Sequence, residues 1–118
     1  MKILVVDDEQ LVRWFLDRAL KKSGHEVITA SNISEASEKI NREKVDILFL
    51  DLRMPDGNGM ELVEKIAGLT LKPKVVVCSA FITSEQEEEF RNKGICILKK
   101  PFTLDELNRV VQQCINVY

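Results

Sequence analysis

The chain has 118 residues, 17 Lys and Arg against 19 Asp and Glu, and a formal net charge of −2. That length suits one domain with a real core. The near-balance of charge excludes a broad basic surface for nucleic acid, and no apolar run approaches the length that spans a bilayer. Three isolated cysteines, Cys78, Cys96 and Cys114, carry no metal-binding spacing and read as small apolar core residues in a reducing cytoplasm.

The first strand is the unbroken apolar run Ile3 to Val6, which ends in Asp7-Asp8-Glu9. Residues 10–23 then switch to helical period. Leu11, Val12, Phe15, Leu16, Ala19 and Leu20 share one stripe, and Gly24 follows as the residue beyond the C-cap. Trp14 lies off the stripe, near Asp17 and Lys21, as a half-exposed side chain packed on its neighbours. Val27 to Ala30 is a short second strand. Asn32 with Glu35 is a capping box opening a second helix, lightly anchored by Ile33, Ala36 and Ile40.

The third strand, Val45 to Asp51, shows no alternation from Ile47 to Leu50. That is the pattern of a strand buried on both faces of a parallel sheet. Pro55, Gly57 and Gly59 force it to stop after Asp51. Asn58 with Glu61 opens the third helix, carried by Leu62, Val63, Ile66 and Ala67. Val75 to Cys78 is the fourth strand and ends at Ser79. Ser84 with Glu87 opens a fourth helix that is polar throughout except for Phe90, so its local stability is expected to be low. Ile95 to Leu98 is the fifth strand, ending in Lys99-Lys100-Pro101. Thr103 with Glu106 caps a fifth helix bearing Leu104, Leu107, Val110, Val111, Cys114 and Ile115. Five strands alternating with five helices, joined by right-handed crossovers, make an α/β fold with a three-layer, doubly wound, five-stranded parallel sheet.

The chemistry gathers at the carboxyl ends of the strands, where open parallel sheets bind ligands. Asp7 and Asp8 end the first strand, Asp51 the third, Ser79 the fourth and Lys100 the fifth. Converging carboxylates repel unless a positive charge joins them. A hard divalent cation suits Asp8 and Asp51 directly and Asp7 through water, with the Lys100 ammonium opposite. Such a site is arranged for phosphoryl transfer, with Asp51 as nucleophile. Taken singly, Asp7 and Asp8 could cap a helix, Ser79 could be a turn residue and Lys100 a solvated charge. All of them at separate strand ends are hard to explain that way. No Gly-rich phosphate loop is present, so a nucleotide is not expected.

These motifs, Asp7-Asp8-Glu9, Asp51 with Met54-Pro55-x-Gly57, Ser79-Ala80 and Lys100-Pro101-Phe102, resemble the receiver domain of two-component response regulators over residues 1–118. The resemblance implies the flavodoxin-like strand order 2-1-3-4-5. It also implies Asp51 as acceptor of a phosphoryl group from a sensor histidine kinase or phosphotransfer protein. Mg2+ would be held by Asp7, Asp8, Asp51 and the backbone carbonyl of Arg53, while Ser79 and Lys100 would contact the phosphoryl oxygens. The Lys100-Pro101 bond would be cis.

By the same resemblance the chain is not an enzyme in the ordinary sense. It catalyses its own phosphorylation and a slow autodephosphorylation, with Arg53 and Phe81 flanking the path of water. Phe81 would either cover the acyl phosphate or point to solvent. The switching face would comprise the fourth helix, the fifth strand and the fifth helix, controlling an output domain or target protein or forming a phosphorylation-dependent homodimer. Helix 1 around Trp14 is the competing face. No direct nucleic-acid or membrane binding is implied, and the location would be cytoplasmic.

Two departures concern the switch. Ile97 stands where the family usually has Tyr or Phe, and the segment from Gly94 to Lys100 is about one residue shorter than in many relatives. Of the rivals, a dehalogenase-like phosphatase would want an aspartate at Arg53, and a module that is never phosphorylated would not need the full set of site residues. The kinase, the pathway, the output, and whether the chain stands alone or belongs to a longer regulator stay open.

Overall fold

A computed structural model describes residues 1–116. In chain order the elements are β1 (Lys2–Val6), α1 (Gln10–Lys22), β2 (Glu26–Ala30), α2 (Ile33–Arg42), β3 (Ile47–Asp51), β4 (Arg53–Met54), β5 (Gly57–Asn58), α3 (Gly59–Ala67), β6 (Lys74–Ser79), α4 (Ser84–Asn92), β7 (Cys96–Lys99) and α5 (Leu104–Asn116). Five of the strands form one parallel sheet in the order β2-β1-β3-β6-β7. Counting those five alone, this is the expected 2-1-3-4-5. The order reverses between β1 and β3, and ligands of open α/β sheets bind at such a switch point.

Alternation along each buried strand divides the core into two layers. Ile3, Val5, Ile47, Phe49, Val76 and Leu98 face α1 and α5, where Leu16, Leu20, Leu107 and Val111 cover them. Leu4, Val6, Leu48, Leu50, Val75 and Val77 face α2, α3 and α4, where Ala36, Leu62, Ile66 and Phe90 lie. Phe90 is the one buried residue of α4, as its polar sequence implies.

Several local expectations shift. Leu11 does not join the core stripe of α1 and stays 80% exposed, because five residues before Leu16 and nine before Leu20 it points away from the buried face of the helix. Trp14 is half-exposed and packs on Arg18, whose guanidinium lies 5.1 Å from the ring centroid. The cap of α4 is Thr83 rather than Ser84, with Gln86 rather than Glu87 completing the box. Asn58 caps the amide of Met60, not that of Glu61. Asn32 does cap Glu35, but the Glu35 carboxylate turns to Ser31 and Lys39 instead of closing the box. Thr103 and Glu106 form the expected reciprocal pair.

Between β3 and α3, where the sequence predicts a plain loop, the chain makes an antiparallel ribbon of two residues a side, Arg53–Met54 against Gly57–Asn58. Its tip is tied down at a distance. The Asp56 carboxylate accepts the first two amides of α2, from Ile33 at 2.9 Å and Ser34 at 3.0 Å. These bonds hold its carboxyl below the usual carboxylate range. Gly59 allows α3 to start close beneath the strand end: a Cβ there would stand 2.6 Å from the Asp51 carbonyl oxygen, too near for any other residue.

Candidate phosphoacceptor site

The site is assembled from the ends of β1, β3, β6 and β7. Each strand is fixed in register by the buried ladder, so the residue at its end (Asp51, Ser79) or just past it (Asp7, Lys100) is delivered to one cleft. Asp7 is 1% exposed, Asp51 8% and Ser79 5%, and they are the buried polar residues among those described. Asp8 and Glu9 lie at the exposed rim.

Lys100 joins the two buried carboxylates. Its Nζ donates to Asp7 Oδ2 at 2.7 Å and to Asp51 Oδ2 at 3.0 Å, and lies 3.5 Å from Glu9 Oε1. Burial works to lower the ammonium, but hydrogen bonds to Asp7 and Asp51 outweigh it and carry the pKa upward. At Asp7, in contrast, burial prevails and raises the carboxyl, against the opposing pull of Lys100 and the Glu9 amide. Asp7 is thus oriented from three sides. Glu9 N donates to its Oδ1 at 2.9 Å, Lys100 holds Oδ2, and the Arg13 guanidinium pins its backbone carbonyl at 2.6 Å. Asp51 Oδ1 accepts the Arg53 amide at 3.1 Å.

Ser79 is occupied within its own turn. Its hydroxyl donates to the Phe81 carbonyl at 3.1 Å and accepts the Phe81 amide at 3.3 Å. The Ser79 carbonyl in turn accepts the Lys100 amide at 2.9 Å, which ties the ends of β6 and β7 together. The Lys100-Pro101 peptide is cis. Phe81 points outward and is 73% exposed, with the Arg53 guanidinium 5.5 Å from its ring centroid. Ile97 packs against the core on the α4 side.

Oxygens of Asp7, Asp8, Glu9 and Asp51 all lie within 4.8 Å of one another. A set of hard carboxylate oxygens this close, with a single ammonium against it, fits a divalent cation that prefers oxygen ligands. Glu9 belongs to this group beyond the metal ligands expected from the sequence. Its place directly after two strand-end aspartates was the available signal. An open groove of about 460 Å³, lined by Leu11, Phe15, Lys100 and Phe102 among others, borders the site.

Comparison with known proteins agrees with this geometry. The model of the response regulator receiver domain matches residues 3–112. The DNA-binding transcriptional regulator NtrC of Azospirillum brasilense is 35% identical over 115 residues, which are 97% of this chain and 24% of that protein; the chain thus spans about a quarter of that relative's length. A two-component response regulator from Clostridium difficile superposes with a TM-score of 0.88 at 28% identity, covering 98% of this chain and 95% of that one. The beryllofluoride-activated receiver domain dimer of NtrC4 superposes with a TM-score of 0.87 at 27% identity, covering 96% and 94%. With its sheet order, its strand-end carboxylates and lysine and these relatives, the chain belongs to the receiver domain family of two-component response regulators.

Proposed function

We propose that residues 1–118 form one receiver unit in which Asp51 is the phosphoacceptor. The observation that carries this reading is the pairing of Asp51 with Lys100 at 3.0 Å inside a cluster of further carboxylates. Asp51 is nearly buried and held through Oδ1 by the Arg53 amide, so its carboxylate is oriented. The nucleophilic oxygen attacks the phosphorus of a phosphohistidine on a sensor kinase or phosphotransfer protein. An O–P bond forms, the N–P bond breaks, and the imidazole leaves.

Asp7, Asp8, Asp51 and the Arg53 carbonyl would hold Mg2+, with Glu9 at the rim. When bound, the ion supplies charge neutralisation for the incoming oxygens. Lys100 keeps its proton throughout and moves from the Asp51 carboxylate to a phosphoryl oxygen. Ser79 exchanges its two bonds with Phe81 for a bond to the phosphoryl group. That exchange frees the turn leading into α4, five residues on, so the charge at Asp51 is read as a displacement of α4 and β7.

The face of α4, β7 and α5 would then control an output domain or target protein, or pair with a second copy. The activated dimer of the NtrC4 receiver is a precedent in a relative. The groove beside Lys100, with the exposed Leu11 at its edge, offers the kinase an apolar seat within reach of Asp51. Among the described residues no helix is long and apolar enough to cross a membrane, and a cytoplasmic location is in keeping with a cytoplasmic phosphodonor.

With acetyl phosphate and Mg2+ the intact mass should rise by one phosphoryl group. Asp51→Asn or removal of Mg2+ should suppress the gain by at least tenfold. Undiminished labelling of Asp51→Asn would overturn the assignment. The phosphoryl group should be lost slowly, since neither Arg53 nor Phe81 offers a carboxylate or amide to orient a water. Decay after donor removal should quicken in the double change Phe81→Glu with Arg53→Asn. An unaltered or longer half-life there would refute the role of these two residues.

A further inference from the structure

Away from the acidic cleft, two thiols meet across the joint between β7 and α5. The Cys114 thiol donates to Cys96 Sγ at a sulfur–sulfur distance of 3.8 Å. Both are free. Cys96 is the first residue of β7, and Cys114 lies in the last turn of α5. Helix ends and strand ends are where backbone yields most readily. A disulfide needs sulfurs about 2.05 Å apart, so closure asks for a relative movement of less than about 2 Å at two element ends. The third cysteine, Cys78, is buried near the carboxyl end of β6, in register with Asp51 and away from this pair.

We propose that Cys96 and Cys114 are a dithiol modification site, closing to an intrachain disulfide in reaction with a small-molecule disulfide. The two sulfurs differ in a way that sets the order of events. Cys96 is half-buried, whereas Cys114 is buried. Burial first, then the neighbouring Cys96, pushes the Cys114 thiol up to about 12. Cys96 is therefore the sulfur that meets the reagent. Its thiolate attacks one sulfur of the small disulfide, the reagent's S–S bond breaks, and one small thiolate leaves. The Cys114 thiolate, after losing its proton to water, attacks the Cys96 sulfur and expels the second small thiolate. Two protein thiols and one small disulfide become one protein disulfide and two small thiols. The product ties β7, which ends beside Lys100, to α5. It thereby clamps part of the face proposed to respond to phosphorylation.

The test uses the whole chain, reduced, then incubated with oxidised glutathione. Thiols are counted after denaturation, and unreduced peptides are mapped by mass spectrometry. The wild type should lose two of its three thiols, gain no lasting glutathione mass, stay free of interchain links, and yield one peptide joining Cys96 to Cys114. Cys114→Ser should stop at a stable glutathione adduct on Cys96. Cys96→Ser should keep Cys114 reduced. Retention of all three thiols by the wild type, a persistent glutathione adduct on it, or a dimer linked through Cys96 would each overturn the proposal. If one variant fails to fold, the wild-type map and the other variant decide the matter.

Discussion

Helices α4 and α5 both pack on β7, from opposite faces of the sheet, and they are held in opposite ways. Across its nine residues α4 has one buried anchor, Phe90. Over its thirteen residues α5 buries Leu107, Val110, Val111 and Cys114. Each deeply buried apolar side chain stabilises its element by roughly 1.5–3 kcal/mol, so the two helices differ several-fold in what docks them. The N-terminal cap of α4, Thr83 with Gln86, is exposed and adds only about 1 kcal/mol. A helix held by one side chain and a cap can be displaced by the modest free energy that a new phosphoryl contact supplies; a helix held by four cannot. The same comparison locates the trigger, because the loop from Ser79 to Thr83 runs straight into α4, while α5 follows the cis Lys100-Pro101 bond on the other side.

The largest expected effect comes from removing the single anchor. Phe90→Ala should cost about 3–5 kcal/mol, and amide exchange should show the loss concentrated in α4 with β1 and β3 still protected. Leu107→Ala, at a position fully buried against the sheet, should cost about 2–5 kcal/mol but lower protection across the whole domain. If both variants lose protection in the same uniform pattern, α4 is not a separately releasable element.

A smaller effect should be seen at α2, the other lightly anchored helix, whose buried residue is Ala36. Here Asp56 substitutes for apolar docking by capping Ile33 and Ser34 from the far side of the site loop. Its carboxyl titrates below the ordinary value of 3.8 in the folded chain. A depressed carboxyl adds stability that is present above the unfolded value and lost as pH falls through the folded one. The advantage of the wild type over Asp56→Asn should thus be full near neutral pH and shrink on acidification through that range. A difference that is flat with pH, measured by urea unfolding, would show that the charge of Asp56 is idle.

What could be read from the sequence follows the same divide. The strands were legible because Ile3 to Val6, Ile47 to Leu50 and Val75 to Cys78 are apolar without interruption, a pattern few other structures accept. The site was legible because four of the five sheet strands run out into polar or charged residues, and the structure brings Asp7 and Asp51 onto Lys100. Where competing residues of one kind stand side by side, the sequence alone could not choose. Thr83-Ser84 and Gln86-Glu87 offer two capping registers one residue apart, and the chain takes the first. Leu11 stands at the margin of the apolar stripe, and composition does not say how wide the buried face is. The Asp56 cap links residues more than twenty apart and leaves no local signature. The bonds of the Ser79 hydroxyl to Phe81 within its own turn depend on backbone torsions that the sequence does not display.

The most direct test combines chemistry and response in one sample. The chain is treated with acetyl phosphate and Mg2+, the modified residue is mapped by mass spectrometry, and amide exchange is compared in α4 and α5 before and after. One phosphoryl group should appear on Asp51, with exchange altered in α4 and the preceding turn and nearly unchanged in the core-facing turns of α5. A phosphoryl group on any other residue, or labelled Asp51 with α4 unaltered while α5 responds, would contradict the account.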